Sequence, residues 1–224
     1  MRTRLLAAFA AVYVIWGSTY LAMRFAIETL PPFLMLGVRF LIAGSLMLAW
    51  ARWREGARPT RTDLTTGAVS GTLMLACGNG SVVWAVQRVP SGIAALIVAV
   101  VPVWMVVLDW LRPGGRRPGG AVFAGLALGV TGLLLLVGRS SFDGAAGIDL
   151  VSTAVLLAGS LCWAIASIFT QRAPRPTSGS VGSAVQMLAG GVALTLVAVL
   201  LREPSHLDLA HASFFPASLL RAID

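Results

Sequence analysis

The fold is decided by the sequence GVRFLIAG at positions 37–44, whose arginine follows Trp16 by 23 residues. A second sequence, AVQMLAGG at positions 184–191, has a glutamine that follows Trp163 by 23 residues. Each copy begins in one long apolar segment and ends in the next, and five such segments separate the two starts. An odd number of membrane crossings turns the second copy upside down relative to the first. This arrangement is typical of inverted-repeat transporters, whose binding site lies between the halves near the middle of the membrane.

The composition places the chain in a lipid bilayer. Hydrophobic residues make up 57% of the 224 residues and charged residues 12%, whereas soluble proteins have roughly 25% charged residues. Such a chain cannot cover a surface that faces water, so its surroundings are expected to be lipid. The net charge of +8 comes entirely from arginine. The arginines lie in short patches between apolar segments, as in the inner loops of membrane proteins, and this placement argues against nucleic-acid binding.

Seven apolar segments are each about 20 residues long, the length at which a helix crosses roughly 30 Å of hydrocarbon. We therefore expect an all-α integral membrane protein with an inverted-repeat helical bundle. Residues 1–140 would hold the five helices of a first repeat, residues 141–201 two helices of a second, and residues 202–224 a tail that does not span. The predicted spans are Leu5–Ile27, Pro32–Trp50, Thr66–Val86, Ser91–Leu111, Gly120–Gly138, Leu150–Thr170 and Val181–Leu201.

The loop arginines predict the orientation of these spans. Eleven of them fall on one side of the predicted bundle: Arg2, Arg4, Arg52, Arg54, Arg58, Arg61, Arg112, Arg116, Arg117, Arg172 and Arg175. The other side holds three: Arg88, Arg139 and Arg202. Because basic loops stay in the cytoplasm, the N-terminus is predicted to be cytoplasmic.

Arg39 is the first candidate for a substrate-binding residue. It lies seven residues into the second span, or roughly 10 Å from the outer boundary. An arginine at the centre of a span costs about 2.5–3.5 kcal/mol on insertion scales, so Arg39 should face a cavity or a partner. Alternatively it extends outward, or pairs with a backbone carbonyl and holds two helices together. Arg24 lies close to the end of its span, where extension to the interface explains it nearly as well.

Other polar and aromatic residues fall at related positions. Trp16, Tyr20 and Arg24 share one face of the first helix, where they could orient a small organic solute or form an aromatic packing stripe. Pro102 is expected to kink or loosen the fourth helix, as a hinge or as a static bend. The predicted substrate-binding residues are Trp16, Tyr20, Arg39, Asn79, Trp163 and Gln186, and the predicted gating residues are Arg24 and Pro102.

Two pairs of glycines and one carboxylate predict contacts between helices. Gly67-x-x-x-Gly71 and Gly125-x-x-x-Gly129 permit helices to approach closely, either within the chain or between two copies in a homodimer. Asp109 lies close to Arg112 in the sequence, which predicts an interfacial salt bridge.

The sequence lacks the motifs of several other classes of protein. It contains no paired intramembrane carboxylates, no H-E-x-x-H, no G-x-S-x-G and no glycine-rich phosphate loop. These motifs carry metal binding, nucleophilic catalysis and nucleotide binding. We therefore expect a protein that is not an enzyme and that uses no metal and no cofactor.

Five blocks of the sequence carry a resemblance to a known family. They are W-G-S-T-Y at 16–20, P-P at 31–32, G-V-R-F at 37–40, V-P-S-G at 89–92 and Q-M-L-A-G-G at 186–191. With these blocks the chain resembles an EamA-type member of the drug/metabolite transporter superfamily, and within it the YedA-like exporters. The resemblance covers residues 5–201.

This resemblance implies ten helices in two inverted halves, a bacterial inner-membrane location, and export of small metabolites or drugs by alternating access. It also implies that Trp16, Arg39, Asn79, Trp163 and Gln186 lie on helices beside the cavity. The last three helices of the family have no counterpart among the seven apolar segments, so we expect a chain truncated after the seventh helix.

We therefore predict a secondary-type exporter. Its deep fixed charges are positive, so a solute with a carboxylate, such as an amino acid or an organic acid, fits better than an organic cation. The alternative is a non-transporting protein, either a truncated membrane protein or a helical scaffold. The end of the apolar pattern after seven segments favours this alternative, whereas the matched polar positions favour transport.

Overall fold

The computed structural model describes residues 2–115, 117–142 and 150–206 of the chain. Within these ranges all regular structure is helical. The elements are α1 (Arg2–Ala26), α2 (Pro32–Arg54), α3 (Arg61–Ser70), a π-helical segment (Gly71–Asn79), α4 (Gly80–Ala85), α5 (Ser91–Val98), α6 (Val101–Leu111), α7 (Gly120–Phe142), α8 (Leu150–Arg172), α9 (Gly179–Leu200) and a 3₁₀ turn (Glu203–His206). The seven predicted spans thus all coincide with helical structure.

Six helical stretches in the described ranges are long and apolar enough to cross a membrane. They are α1, α2, the composite third span from α3 to α4, the fourth span formed by α5 and α6, α8 and α9. The seventh, α7, has a shorter apolar portion, Gly120–Gly132. The prediction of an all-α membrane protein is therefore confirmed. Most of the predicted tail, residues 207–224, lies outside the described residues.

Local sequence signals determine where the helices begin. Pro32 occupies the first turn of α2, where a missing N–H is not needed. The Thr60 hydroxyl accepts a hydrogen bond from the Asp63 N–H at 3.2 Å, and the Asp63 carboxylate accepts one from the Thr60 N–H at 2.8 Å. This reciprocal pair starts α3. Ser178 starts α9 by accepting from the Val181 N–H at 3.1 Å.

The core lies between α2, the third span, α8 and α9. Leu36, Val83, Leu156 and Leu194 are among its fully or almost fully buried members. The outer faces of the helices carry exposed apolar side chains, such as Leu46 of α2, as expected where a bundle faces lipid.

The closest helix pair joins the two copies of the repeated sequence. A Cβ added to Gly37 of α2 would lie 3.2 Å from the Gly191 carbonyl oxygen of α9, and one added to Gly44 would lie 3.0 Å from the Ala184 carbonyl oxygen. The early part of α2 therefore meets the late part of α9, so the two helices run antiparallel. In the alignment of the copies Gly37 corresponds to Ala184, and Gly44 to Gly191. Each contact is thus the counterpart of the other, as a pseudo-two-fold axis requires.

The third span packs against α9 through its own glycines. A Cβ added to Gly67 would lie 2.5 Å from Cγ1 of Val185, and one added to Gly71 would collide with the backbone of α9 at Gln186. The predicted close contact through Gly67-x-x-x-Gly71 is therefore confirmed, and in this structure it lies within the chain.

Three connecting segments meet at one end of the bundle, which we call the arginine-rich end. Asp109 of α6 accepts from Arg112 at 2.6 Å and from Arg172, the last residue of α8, at 3.2 Å. Ser180 of α9 donates to Glu55, just after α2, at 2.7 Å. The predicted salt bridge between Asp109 and Arg112 is confirmed. The loop arginines also predict that the segments after α2, α6 and α8 lie on the same side of the membrane.

We expect Gly44→Leu to destabilise the protein, because a side chain at this position would collide with the backbone of Ala184 and Leu188. Overpacking of this kind costs about 1–3 kcal/mol. Thermal unfolding of the detergent-purified protein, followed by size-exclusion chromatography, should show a lower Tm. Ser45→Leu is the matched control, since Ser45 is the next residue and is exposed. Equal losses of Tm for both variants would contradict the assigned contact.

Candidate functional site

The π-helical segment Gly71–Asn79 forms the centre of the candidate site. π-Helical turns are rare and occur frequently at functional sites. The segment lies between α8 and α9, and glycines permit both contacts. A Cβ added to Gly71 would collide with α9, and one added to Gly78 would lie 2.8 Å from the ring of Trp163 on α8. Sequence reasoning missed this change of pitch, and the glycines were its only local signal.

Three of the predicted substrate-binding residues lie along this segment. The Gln186 amide nitrogen donates to the sulfur of Met74 at 3.1 Å, and the Trp163 ring packs against Gly78. Asn79 is the last residue of the segment and is half-buried. The structure thus brings Asn79, Trp163 and Gln186 to one stretch of the third span.

The predicted residues on α1 lie near the other end of the third span. The Arg24 guanidinium donates to the Val86 carbonyl, immediately after α4. Tyr20 is half-buried and packs against the core, while the side chain of Trp16 lies outside the described residues. The hydrogen bond of Arg24 holds α1 against the third span, and a gating role for Arg24 stays a prediction.

Arg39 is exposed on α2, whereas Gln186 is partly buried against the third span. Its neighbours Gly37, Phe40 and Gly44 are buried on the side of α2 that faces the core, whereas Arg39 itself is exposed. Its guanidinium carbon lies 5.6 Å from the centre of the Phe40 ring. Within the described ranges no carboxylate forms an ion pair with it. The guanidinium is therefore available to a ligand or to a further segment of protein.

The fourth span is interrupted beside Pro102. α5 ends at Val98 and α6 begins at Val101, so Pro102 lies in the first turn of α6. The predicted loosening of this helix is confirmed, and the choice between a hinge and a static bend stays open. A cavity of about 430 Å³ lies between the break and the glycine face of α7. A Cβ added to Gly125 or Gly129 would meet nothing within 4 Å. Within the described part of the chain these glycines border a groove and make no close contact, so the intrachain alternative is wrong there, and a contact between two copies stays a prediction.

Asp63 connects the start of α3 to the loop between α8 and α9. Besides its bonds to Thr60, its carboxylate accepts the Thr177 N–H at 3.0 Å and the Thr177 hydroxyl at 2.5 Å. Sequence reasoning missed this contact, although the capping-box pattern of threonine followed by aspartate three residues later was readable. The partner loop lies more than a hundred residues away and has no such signal.

Two glutamates accept hydrogen bonds at the two ends of the α2–α9 pair, each from the start of the other helix. Glu203, just after α9, accepts the Leu34 N–H at the start of α2 at 2.8 Å. Glu55, just after α2, accepts from Ser178 and Ser180 at the start of α9, and these hydrogen bonds lower the pKa of the Glu55 carboxyl. A carboxylate at a helix N-terminus also interacts favourably with the helix dipole. The start of each helix is thus hydrogen-bonded to a glutamate that follows the end of the other helix.

The arrangement contains polar groups that can bind a ligand. In the part of the chain that the structure describes, no three histidine, cysteine, aspartate or glutamate side chains are placed to hold a metal ion. The arrangement offers hydroxyl groups, amides and the exposed guanidinium of Arg39 on closely packed helices that cross the membrane.

Helices that correspond in sequence and run antiparallel in a multi-pass bundle define a class of membrane proteins built from inverted repeats. The chain belongs to the EamA-like transporter family, whose sequence profile matches residues 3–138. No solved structure matches the chain significantly.

Several curated proteins are similar to this chain. "Uncharacterized inner membrane transporter YedA" of Escherichia coli K12 is 38% identical over 200 residues, which cover 89% of this chain and 63% of that protein. "Uncharacterized transporter YvbV" of Bacillus subtilis is 27% identical over 195 residues, covering 87% of this chain and 62% of that protein. The chain thus spans a little under two thirds of the length of these relatives.

We expect Asp63→Asn to loosen the loop between α8 and α9, because the Thr177 hydroxyl and N–H lose a charged acceptor. Hydrogen bonds to charged groups contribute about 1.5–3 kcal/mol, so the loop should open at least about tenfold more often. Hydrogen–deuterium exchange at the Thr177 amide measures this directly. Thr62→Ala, on the exposed side of α3, is the control. Unchanged exchange in Asp63→Asn would show that Asp63 does not hold the loop.

Proposed function

We propose that the protein is a secondary-type membrane transporter that exports small metabolites or drugs by alternating access. The observation that carries this proposal is the reciprocal α2–α9 contact between the two copies of the repeated sequence. Antiparallel repeats of this kind give transporters two related halves that can rock around a site between them. Membership of the EamA-like family supports it, as do relatives that are themselves named transporters.

The favoured solutes are amino-acid-like compounds or organic acids. Arg39 is a permanent positive charge on a membrane-crossing helix, and in the described ranges it has no acidic partner. A guanidinium can hold a carboxylate through two parallel hydrogen bonds. Within this proposal Trp16, Tyr20 and Trp163 supply the walls, and Asn79 and Gln186 supply further hydrogen bonds.

The pseudo-two-fold relation between α2 and α9 supports a binding role for Arg39. In the alignment of the copies Arg39 corresponds to Gln186, and Gln186 faces a polar cavity beside the third span. The face of α2 that carries Arg39 is therefore the counterpart of a face that borders a cavity. We also propose a multi-pass location in the bacterial inner membrane with lipid as the surrounding partner. A homodimer stays a prediction.

Arg39→Ala should abolish substrate movement, and Arg39→Lys should impair it nearly as much, because an ammonium cannot form the planar two-pronged contact. The measurement is efflux of labelled amino acids and organic acids from proteoliposomes that contain equal amounts of each variant. Arg88→Ala is the control, since Arg88 is an exposed arginine that stacks on Trp84. Normal efflux with Arg39→Ala would refute the assigned role.

The arginine-rich end should lie in the cytoplasm. Reporter enzymes that are active on only one side of the membrane, fused after Glu55 and after Gly114, should both report the cytoplasmic side. A fusion after Val89 should report the opposite side. Reporters after Glu55 and Gly114 on opposite sides of the membrane would remove the inverted repeat and the transport proposal with it.

A further inference from the structure

A cavity of about 240 Å³, whose lining includes several polar side chains, opens at the arginine-rich end between α3, α8 and α9. Its walls carry the side chains of Thr66 and Ser70 from α3, Thr170 from α8, and Ser183 and Gln186 from α9. Polar side chains inside a membrane bundle are energetically costly unless they have a partner or border a cavity, so their presence indicates one or the other. Of the residues that line this cavity, Gln186 belongs to the predicted substrate site, whereas Thr66, Ser70, Thr170 and Ser183 were not predicted.

The polar groups continue from the mouth of the cavity into the membrane-crossing part of the bundle. Thr66 and Ser70 are four residues apart and thus lie on one face of α3. On α9, Gln186 lies seven residues after Gly179, or about 10 Å deeper along the helix axis. The cavity therefore reaches from the arginine-rich end to the residue that corresponds to Arg39.

Several of these groups have hydrogen-bonding capacity left for a ligand. Within the described ranges the hydroxyls of Thr66 and Ser183 form no hydrogen bond to another residue. The Gln186 nitrogen donates to a thioether sulfur, a weak acceptor, which leaves its amide oxygen open. The Thr170 hydroxyl donates to the Ala166 carbonyl of its own helix at 2.8 Å and can still accept.

The charges around the cavity restrict the class of ligand. Asp63 is the one ionised side chain in its lining, and its carboxylate already accepts hydrogen bonds from Thr60 and Thr177. No arginine lines the space. The wall thus offers neutral donors and acceptors beside apolar surface, which suit a small polar solute without net charge better than an organic cation.

The loop held by Asp63 covers the mouth of this cavity. Pro174 and Pro176 of the loop line it, and Pro176 packs on Gly182 so closely that a Cβ added there would lie 3.0 Å from the proline ring. The Asp63–Thr177 hydrogen bonds therefore fix the segment that a solute must pass or displace when it enters.

We propose that this cavity is a loading site for a small solute without net charge, such as a zwitterionic amino acid, beneath the loop held by Asp63. This inference rests on the proposed transport function, because it assigns to the arginine-rich end the first contact with the solute. Gln186 forms the inner limit of the site, and Thr66 of α3 and Ser183 of α9 contribute hydroxyls to its wall.

The test uses single cysteines in the full chain, with Cys77 and Cys162 replaced by alanine. Thr66→Cys places a thiol in the cavity, and Ala68→Cys places one on the exposed, opposite face of α3 at nearly the same depth. A charged, membrane-impermeant maleimide is added to membrane vesicles of both orientations. Maleimides react with the thiolate, which requires water. Labelling of Thr66→Cys should therefore be rapid from the arginine-rich side, and labelling of Ala68→Cys should be slow.

A mixture of L-serine, L-threonine and L-glutamine should slow the labelling of Thr66→Cys several-fold, whereas tetraethylammonium should leave it unchanged. Ser183→Cys, on the opposite wall, repeats the measurement in case Thr66→Cys does not fold. Equal labelling at positions 66 and 68, or labelling that no amino acid slows, would overturn the loading site. Efflux from the same vesicles separates the two proposals. If efflux occurs but amino acids do not slow the labelling, the loading site alone is refuted. If amino acids slow the labelling but no efflux occurs, the transport function alone is refuted.

Discussion

Backbone contact between α2 and α9 is the constraint on which the rest of the structure depends. Lipid tails are as apolar as leucine, so helices in a membrane gain little from hiding apolar side chains and associate through close packing. Gly37, Gly44 and Gly191 provide that packing because they let one helix touch the carbonyl oxygens of the other. Once this pair is antiparallel, the segment after each helix lies beside the start of its counterpart. The positions of Glu55 and Glu203 follow directly.

The same pair explains how the bundle distributes its polar groups. Most deep hydroxyls are satisfied on their own helix, as Ser167 is by the Trp163 carbonyl at 2.8 Å and Thr195 by the Gly191 carbonyl at 2.8 Å. The hydroxyl hydrogen of such a group has its acceptor within the same helix, so the group costs little inside the membrane. The exceptions are Arg39, which is exposed on α2, and the polar groups beside Gln186 on α9. The two helices that join the copies of the repeated sequence therefore carry these polar groups at corresponding positions.

The sequence predicted those features that depend on a single helix. Segment length gave the spans, Pro32 marked the start of α2, and Pro102 marked the interruption of the fourth span. It could not predict features that depend on a second helix. The π-helical pitch of Gly71–Asn79 arises where α8 and α9 both press on the third span, and no local propensity records that. Gly67 and Gly125 stand in the same motif, yet one contacts a neighbour and the other opens a groove. For the site, Asn79, Trp163 and Gln186 came together, whereas Arg39 did not join them.

The π-helical segment also determines where the third span tolerates changes of length. Each of its turns takes up one residue more than an α-helical turn, because it closes i→i+5 instead of i→i+4 hydrogen bonds. The loss of one residue between Gly71 and Asn79 can therefore be absorbed by a return to α-helical geometry, which keeps Val83 in the core and the Val86 carbonyl beside Arg24. The loss of one residue from the α-helical part, Gly80–Ala85, would instead turn the residues beyond it by about 100° around the helix axis. In the third span, changes of length can therefore accumulate more readily in the π-helical segment than in the helix that follows it.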